Sequence, residues 1–269
     1  VVIQEVTSRD GECVTIEKTL EPGKNIRPMG QDFKTGDTCL KAGTLLSPRH
    51  IGLAAAMNVV DLPVHAKPRI AILSTGNELV APGGTPGQSQ IIGSNGPALA
   101  AFITDNGGEA IDLGIAPDDP KTLGSMAEKA KGCDFFVTTG GVSVGDEDHI
   151  KPAVESLGSL HFWRLAIKPG RPIAFGQVAG TAFVGLPGNP VAAMVTFMRI
   201  ARTMVLRLSG ATDLRPPLYK VPAAFNFKAK GERREWLRAR LEKDENGVNC
   251  AHLYPAGGSG VLTSMVASD

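Results

Sequence analysis

The sequence predicts an α/β protein in which a mostly parallel sheet is covered by helices and flanked by smaller β-rich segments. Between about residues 69 and 210, apolar runs typical of buried strands alternate with helical stretches, the order expected of a parallel sheet. On either side of that region, shorter alternating patterns with turn residues are typical of small β domains. A chain of 269 residues with 42% hydrophobic content is long enough for one large domain or two to three small ones.

Charge and composition exclude several classes of protein. The net charge is +1 and both signs are mixed along the chain, so we expect neither a nucleic-acid partner nor a membrane-surface partner. No apolar run reaches membrane-spanning length, and we expect no signal peptide. The four cysteines are far apart, without a C-x-x-C pair or a histidine at zinc-finger spacing, so neither disulfides nor a zinc site is predicted. The expected compartment is a reducing cytoplasm.

The N-terminal part of the chain predicts a hairpin, a connector and a helix. Alternating residues at 1–7 and 13–16, separated by a turn at 8–11, are typical of a β-hairpin. Residues 22–33 concentrate Gly, Pro and charge and are expected to form a polar connector. Ser47 and Pro48 are typical of a helix start, and the helix is expected to run to Ala56. A strand at 59–64 is predicted to follow, with a domain boundary near Lys67.

The central region predicts six strands and four helices in alternation. The predicted strands are residues 70–75, 109–115, 135–139, 160–167, 172–176 and 182–187, and the predicted helices are residues 97–106, 122–131, 149–157 and 191–208.

Beyond residue 213 the pattern is again strand-like, with predicted strands at 219–221, 234–241 and 248–251. The chain begins at Val1 without methionine, and it ends at Asp269 inside an apolar pattern that is also typical of a strand. We therefore expect a chain truncated at both ends.

Four loops follow predicted parallel strands and are therefore expected to meet at the carboxyl edge of the central sheet. Ligands of such folds bind beyond that edge. The loops are residues 74–78, 116–120, 139–148 and 186–190. Taken singly, each loop has a structural alternative; Asp118 and Asp119, for example, could be an N-cap pair that begins a helix. Together their convergence favours a binding site.

The loop at 139–148 mixes groups that suit a phosphate with groups that suit a cation. Gly140, Gly141 and Gly145 allow the backbone to approach a ligand closely, and Ser143 adds a hydroxyl group. The acids at 146–148 would be unfavourable for phosphate alone, so the mixture indicates phosphate plus a divalent cation. The alternative is an ordinary strand-to-helix turn whose acids complement the helix dipole.

Three motifs resemble those of the MoeA family, the molybdopterin molybdenumtransferases, which include the E domain of gephyrin. The motifs are Thr139-Gly140-Gly141-Val142-Ser143-Val144-Gly145, Trp163-Arg164-Leu165-Ala166-Ile167-Lys168-Pro169-Gly170-Arg171-Pro172 and Leu186-Pro187-Gly188-Asn189-Pro190. The resemblance covers nearly the whole chain, and the motifs are highly specific in combination.

The resemblance implies a domain organisation and an assembly. Residues 67–212 would form a molybdopterin-binding α/β domain similar to MogA. Residues 1–21 would end a lid-like β domain, 22–66 would form a β-rich linking domain, and 213–269 would form an incomplete β-barrel-like domain. The assembly implied is an elongated homodimer with a site shared between subunits, with a MogA-like protein as a possible partner.

The resemblance also implies the chemistry. Adenylylated molybdopterin and molybdate would be the substrates, Mg²⁺ would assist, and AMP would be released as molybdenum enters the dithiolene. The catalytic residues implied are Asp32, Glu78, Asp118, Asp148, Arg164 and Lys168, with Asp118 and Asp148 as metal ligands and Asp32 contributed by the second subunit. The substrate-binding residues implied are Thr75, Gly140, Gly141, Ser143, Gly145, Arg171, Pro187, Gly188 and Asn189.

The chain departs from the family pattern at several points. Asn77 and Gly93 are neutral where the family often has acids, which reduces the negative charge available to a cation, and Arg164 stands where lysine is common. The family's N-terminal region, with at least one acid of the site, is absent before Val1, which puts the activity of this fragment alone in doubt.

Two other functions compete with the transferase. One is the preceding adenylyltransferase step, which a MogA-like domain alone can carry, although the flanking residues 1–66 and 213–269 argue against it. The other is a non-catalytic scaffold like gephyrin. A nicotinamide-dependent dehydrogenase is weaker, because no G-x-G-x-x-G follows the strand at 70–75.

Overall fold

A computed structural model describes residues 1–141, 150–229 and 231–269. It confirms the predicted fold class, with a central, mostly parallel sheet and several small two-stranded sheets. In the part of the chain that is described, no helix combines the length and the apolarity needed to cross a bilayer.

The elements alternate along the central region as predicted. The strands are β1 (Thr7–Asp10), β2 (Cys13–Ile16), β3 (Arg69–Thr75), β4 (Leu79–Val80), β5 (Ile91–Ile92), β6 (Glu109–Ala116), β7 (Phe135–Thr139), β8 (Gly158–Arg164), β9 (Ile167–Lys168), β10 (Pro172–Val178), β11 (Thr181–Leu186), β12 (Arg234–Glu235), β13 (Ala239–Lys243) and β14 (Asn249–Leu253). The helices are α1 (Pro48–Ala56), α2 (Asn95–Asp105), α3 (Pro120–Lys129), α4 (Ile150–Leu157), α5 (Pro190–Thr196), α6 (Arg202–Leu208) and α7 (Thr263–Val266).

The central sheet has six strands in the order β6-β3-β7-β11-β10-β8. Strands β6, β3, β7 and β11 run parallel, and β10 is antiparallel to both of its neighbours. Val137 of β7 lies opposite Ile72 on one side and Val184 on the other. Because β7 has a strand on both sides and helices on both faces, all five of its residues are buried.

Two hydrophobic clusters cover the two faces of this sheet. On one face Leu73 and Phe183 pack with Ala127 of α3 and Val154 of α4. On the other face, Ile72 packs with residues of α2 and of the long C-terminal helical segment of the domain. Alternate residues of the same strand point to opposite faces, so a continuous apolar strand contributes to both clusters.

The long helix predicted at 191–208 is present but changes its hydrogen-bonding pattern. Helices α5 and α6 are joined by a π-helical stretch, Phe197–Ala201. Phe197 is fully buried and stacks on Phe102 of α2 at a centroid distance of 5.6 Å. The extra residue per turn of a π segment lets this ring face the sheet without breaking the helix.

Several N-terminal predictions need correction. The hairpin is real, but its first strand is Thr7–Asp10 and not residues 1–7, because β1 pairs with β2 directly across Gly11, whose φ is 58°. Residues 59–64 are not a strand. Val60 is 88% exposed, and an alternating pattern with no neighbouring strand to pair with does not form one. Residues 22–66 contain α1 but no strand in the described structure, so this region is not β-rich.

The C-terminal predictions were right in part. The predicted strand at 234–241 is divided into β12 and β13, and β13 forms an antiparallel hairpin with β14. Residues 219–221 are not a strand, and the strand-like pattern before Asp269 contains the short helix α7. In this small domain few residues are buried, so local apolar patterns do not decide the secondary structure.

A two-stranded parallel pair joins the C-terminal domain to the central one. Strand β12 lies beside β9, with Glu235 directly opposite Lys168. The backbone N–H of Trp236 donates to the carbonyl oxygen of Lys168 at 2.8 Å, and that of Arg234 donates to the carbonyl oxygen of Ala166 at 2.9 Å. The two domains therefore share a continuous surface next to the central sheet.

Candidate functional site

The loops predicted to converge do so at the carboxyl edge of the central sheet. Strands β3, β6, β7 and β11 are parallel neighbours, so the segments after Thr75, Ala116, Thr139 and Leu186 leave the same edge. This is the position at which open parallel sheets bind ligands. The part of the third loop that contains Ser143, Gly145 and Asp148 lies outside the described residues.

Glycines allow three of these loops to pack without side chains between them. Gly140 has a φ of 95°, and a Cβ at that position would collide with the backbone oxygen of Thr75. A Cβ on Gly188 would lie 3.5 Å from the Cα of Gly140. Gly141, with a φ of 62°, continues the left-handed turn. The loops after β3, β7 and β11 thus form a backbone-lined cradle, which we call the glycine cradle: Thr75, Gly140, Gly141, Pro187 and Gly188.

Asn95 holds the glycine cradle together from the first turn of α2. Its Nδ2 donates to Thr139 Oγ1 and to the carbonyl oxygen of Gly188, both at 2.8 Å. Thr139 Oγ1 in turn donates to the carbonyl oxygen of Pro187 at 3.0 Å. Sequence reasoning missed Asn95. The only signal in the sequence was that Asn95 lies two residues after Gly93, which stands out because the family often has an acid there.

Two buried hydroxyl groups near the cradle are suited to a ligand. Within the described ranges, Thr75 Oγ1 and Thr138 Oγ1 are buried and have no hydrogen-bond partner. Buried polar atoms are nearly always satisfied, so an orphaned hydroxyl at a cradle that excludes side chains fits the polar end of a substrate. The predicted role of Thr75 in substrate binding is consistent with this placement.

Acidic and amide groups line the neighbouring loops after β3 and β6. The Glu78 carboxylate folds over Gly76, where a Cβ would lie 2.7 Å from Glu78 Oε2. Asn77 Oδ1 accepts a 3.3 Å hydrogen bond from the backbone N–H of Asp118. Asp119 begins α3 by accepting from the N–H of Thr122 at 2.8 Å, so the capping alternative is right for Asp119.

These oxygen donors suit magnesium by their chemistry. Among the residues that the structure describes, no three His, Cys, Asp or Glu side chains form a metal-binding group. Mg²⁺ usually takes one or two carboxylates together with water and substrate phosphates, so Asp118 and Glu78 on adjacent strand ends are compatible with it. The other predicted metal ligand, Asp148, is outside the described residues.

The predicted cations line a second part of the site. Lys168 and Arg171 lie at a cavity of about 620 Å³ between the central and C-terminal domains, together with Pro187 and Asn189 of the β11 loop. Arg164 does not line this cavity; it is exposed at the end of β8, opposite Pro172. The structure thus brings two of the three predicted cations together.

The C-terminal domain contributes residues that sequence reasoning missed. Arg233, Glu235, Arg238 and Tyr254 line the same cavity. Arg238 Nη2 donates to the carbonyl oxygen of Gly258 at 2.8 Å and its Nε to Ser264 Oγ at 3.1 Å, so this arginine also fixes the C-terminal segment. The dense run of charges at 233–238 was the only signal in the sequence.

Asp32 lies in the polar connector and is not among the residues that line the cavity. Its side chain is exposed and makes no hydrogen bond or ion pair with any other described residue of the chain. Its predicted role in a neighbouring subunit's site remains a prediction.

Comparison with protein families places the chain. Residues 71–207 match a model described as "Probable molybdopterin binding domain". Residues 1–58 match the MoeA N-terminal region (domain I and II), and residues 220–269 match the MoeA C-terminal region (domain IV). The chain belongs to the MoeA family.

Individual MoeA relatives cover almost all of the chain. A molybdopterin molybdenumtransferase of Haemophilus influenzae is 33% identical over 95% of this chain and 66% of its own length. One from a Nostoc species is 34% identical over 96% of this chain and 60% of its own length. The crystal structure of the molybdopterin biosynthesis MoeA protein of Pyrococcus horikoshii OT3 superposes with a TM-score of 0.78 at 27% identity, covering 100% of this chain and 65% of that one. The chain therefore spans a little under two thirds of the length of these MoeA relatives.

Proposed function

We propose that the protein is a molybdopterin molybdenumtransferase, which inserts molybdenum from molybdate into adenylylated molybdopterin and releases AMP. The observation that carries this proposal is that the glycine cradle and the cationic cavity share the β11 loop. Pro187 and Asn189 line the cavity, whereas Gly188 packs on Gly140. A phosphate-bearing pterin and a small oxyanion could therefore be held side by side. Relatives that are molybdopterin molybdenumtransferases support the same reaction.

In this proposal the glycine cradle binds the phosphate end of the pterin. Gly140 and Gly188 bring backbone close to the ligand, since neither carries a side chain that would fill the space. The buried hydroxyl of Thr75 supplies a donor or acceptor to the same group. Ser143 and Gly145 are proposed to complete the cradle.

The cations would stabilise charge as the phosphoanhydride is cleaved. Lys168 and Arg171 face the cavity, and preorganised positive charge contributes strongly wherever negative charge develops on phosphate oxygens. Asp118, Glu78 and Asp148 are proposed to hold Mg²⁺. When bound, the ion would neutralise phosphate oxygens and orient them. Arg164 is proposed to attract the anionic substrates from the edge of β8.

The site is proposed to be completed by assembly. The exposed Asp32 side chain makes no hydrogen bond or ion pair with other described residues of its own chain, which supports a role in the site of a second subunit of a homodimer. A MogA-like protein that makes the adenylylated pterin is a proposed partner, and the cytoplasm is the proposed compartment. The contribution of the C-terminal domain to the cavity argues against the adenylyltransferase alternative, which would need the central domain alone.

The proposal is tested by calorimetric titration of the protein with adenylylated molybdopterin and, separately, with sodium molybdate. Both ligands are expected to bind, and Lys168→Ala is expected to weaken molybdate binding at least about tenfold through loss of one charged contact. Lys131→Ala, which removes an exposed lysine paired with Glu128 far along the chain from the cavity, is the control. Failure of either ligand to bind would contradict the proposal.

A further inference from the structure

Glu235 is the one acid that lines the cationic cavity among the described residues, and its side chain is only 7% exposed. The pairing of β12 with β9 places it directly opposite Lys168, whose side chain is 50% exposed. Opposed residues of paired strands point to the same face, so backbone geometry brings this carboxylate to the lysine. The sequence separation of 67 residues shows that the contact depends on docking of the C-terminal domain.

The two oxygens of Glu235 have different environments. Oε2 accepts from Lys168 Nζ at 3.2 Å. Oε1 is buried and accepts no hydrogen bond from any described residue. A buried carboxylate oxygen without a donor is unfavourable, and a ligand that brings an O–H group to Oε1 would remove that cost.

The charged groups of the cavity have opposite effects on the binding of an anion. Four cationic residues line the cavity: Lys168 in β9, Arg171 in the segment after it, and Arg233 and Arg238 on either side of β12. Tyr254, beyond β14, also lines it, and its hydroxyl donates to Thr263 Oγ1 at 3.4 Å. These cations attract an oxyanion. The Glu235 carboxylate repels it, because two like charges in a partly buried site cannot both stay ionised without cost.

One proton resolves this conflict. If it lies between Oε1 and an oxygen of the ligand, it satisfies the buried oxygen and removes one of the two adjacent negative charges. An oxyanion site built only from hydrogen-bond donors would not need an acid. With an apolar residue in place of Glu235, opposite Lys168, the charged residues of the cavity would all be cationic.

We propose that Glu235 determines oxyanion specificity in this cavity by making binding proton-coupled: a tetrahedral oxyanion binds together with one proton, held between its oxygen and Glu235 Oε1. This rests on the proposed function, which supplies molybdate as the oxyanion. The proton comes from solvent and returns to it on release, and no covalent bond of the anion is broken. Sulfate, which accepts a proton less readily than molybdate, is selected against.

The test is calorimetric titration of the protein with sodium molybdate in two buffers of different ionisation enthalpy, which counts the protons taken up. The wild type is expected to take up about one proton per molybdate, and its affinity to fall about tenfold between about pH 7 and about pH 8. In Glu235→Gln the side-chain amide can donate a hydrogen bond to the anion without binding a proton from solvent. This variant is expected to take up no proton, and its affinity for molybdate is expected not to change with pH. Sulfate is expected to bind the wild type at least about tenfold more weakly than molybdate, and Glu235→Gln to narrow that gap.

Glu109→Gln is the matched control, since Glu109 is exposed and pairs only loosely with Arg69 at 3.9 Å. It is expected to behave as the wild type. Molybdate binding without proton uptake by the wild type, whatever the variant does, would overturn this inference and leave the proposed function standing. Proton uptake that persists in folded Glu235→Gln would assign the proton to another group and overturn it as well. No molybdate binding by the wild type or Glu109→Gln would refute the proposed function together with this inference.

Discussion

Asn95 Nδ2 donates a 2.8 Å hydrogen bond to Thr139 Oγ1, and so connects the first turn of α2 to the end of the central strand β7. The same nitrogen donates to the carbonyl oxygen of Gly188, which ties the β11 loop to the other two elements. One amide group thereby sets the spacing between the two glycine turns that form the cradle.

Asn95→Ala is expected to reduce the free energy of unfolding by about 1–3 kcal/mol, because two hydrogen bonds are lost and the buried Thr139 hydroxyl loses its donor. Pterin affinity is expected to fall more than about tenfold, since the Gly188 turn is no longer held against Gly140. Urea denaturation and ligand titration measure the two effects. Asn246→Ala is the control, because Asn246 is exposed in a turn and its side chain makes no hydrogen bond to described residues. Unchanged pterin affinity in Asn95→Ala would show that the turn does not depend on this residue.

Gly140→Ala is expected to destabilise the protein and to abolish pterin binding. The new Cβ would collide with the Thr75 backbone oxygen, in addition to the roughly 1 kcal/mol that a non-glycine residue costs at positive φ. Gly132→Ala separates the two effects, since Gly132 has a φ of 84° but nothing within 4 Å of the Cβ position. Thermal unfolding of both variants is the measurement. Equal losses of stability would mean that the close approach to Thr75 is unimportant.

Lys168→Ala, in a full-length protein, is expected to lower turnover by roughly 100-fold, as for the loss of one preorganised charged contact. Lys168→Arg is expected to restore only part of it, because a planar guanidinium does not replace a compact ammonium group. Single-turnover release of AMP measures the effect. Normal turnover in Lys168→Ala would remove this lysine from the catalytic residues.

The same lysine is expected to contribute to stability through Glu235. Removing the ammonium group leaves a buried carboxylate without its partner, so Lys168→Ala should destabilise the fold by about 1–2 kcal/mol, less than for a fully buried pair because Lys168 is half exposed. The double variant Lys168→Ala/Glu235→Gln is expected to regain most of that loss. A double-mutant cycle with no coupling would show that the ion pair is not energetically significant.

A shared site predicts complementation between inactive subunits. In a full-length background, Asp32→Ala and Asp118→Ala homodimers are each expected to be inactive. Random mixing makes half of the dimers mixed, and each mixed dimer has one intact site of two, so about a quarter of wild-type turnover should return. Activity is measured after co-refolding, with each variant refolded alone as the control. Absence of complementation would place Asp32 and Asp118 in the same chain's site or leave Asp32 without a role.

Much of the central domain could be predicted from the sequence because its strands are buried on both faces. Residues 70–73 are apolar without alternation, as expected of a strand covered on both faces, and β3 spans the predicted 70–75 with one extra residue. The glycines predicted in the loop after β7 do form a turn at the end of that strand, since Gly140 and Gly141 both have positive φ, which glycine adopts without steric cost. Residues 59–64 are largely exposed, so burial does not impose a strand on them, and the strand predicted there does not form.

The sequence by itself therefore determined the succession of buried strands along the chain and the glycine turns at their carboxyl ends, and its motifs pointed to Lys168 and Arg171 as candidate cations. Only the tertiary structure decided that Asn95 reaches Thr139, that Glu235 reaches Lys168 and that Arg164 is outside the cavity. The physical reason is that strand burial and turn geometry are imposed by nearby residues. A contact between side chains far apart in sequence depends instead on which strands pair, and the pairing of β12 with β9 involves only two residues on each strand.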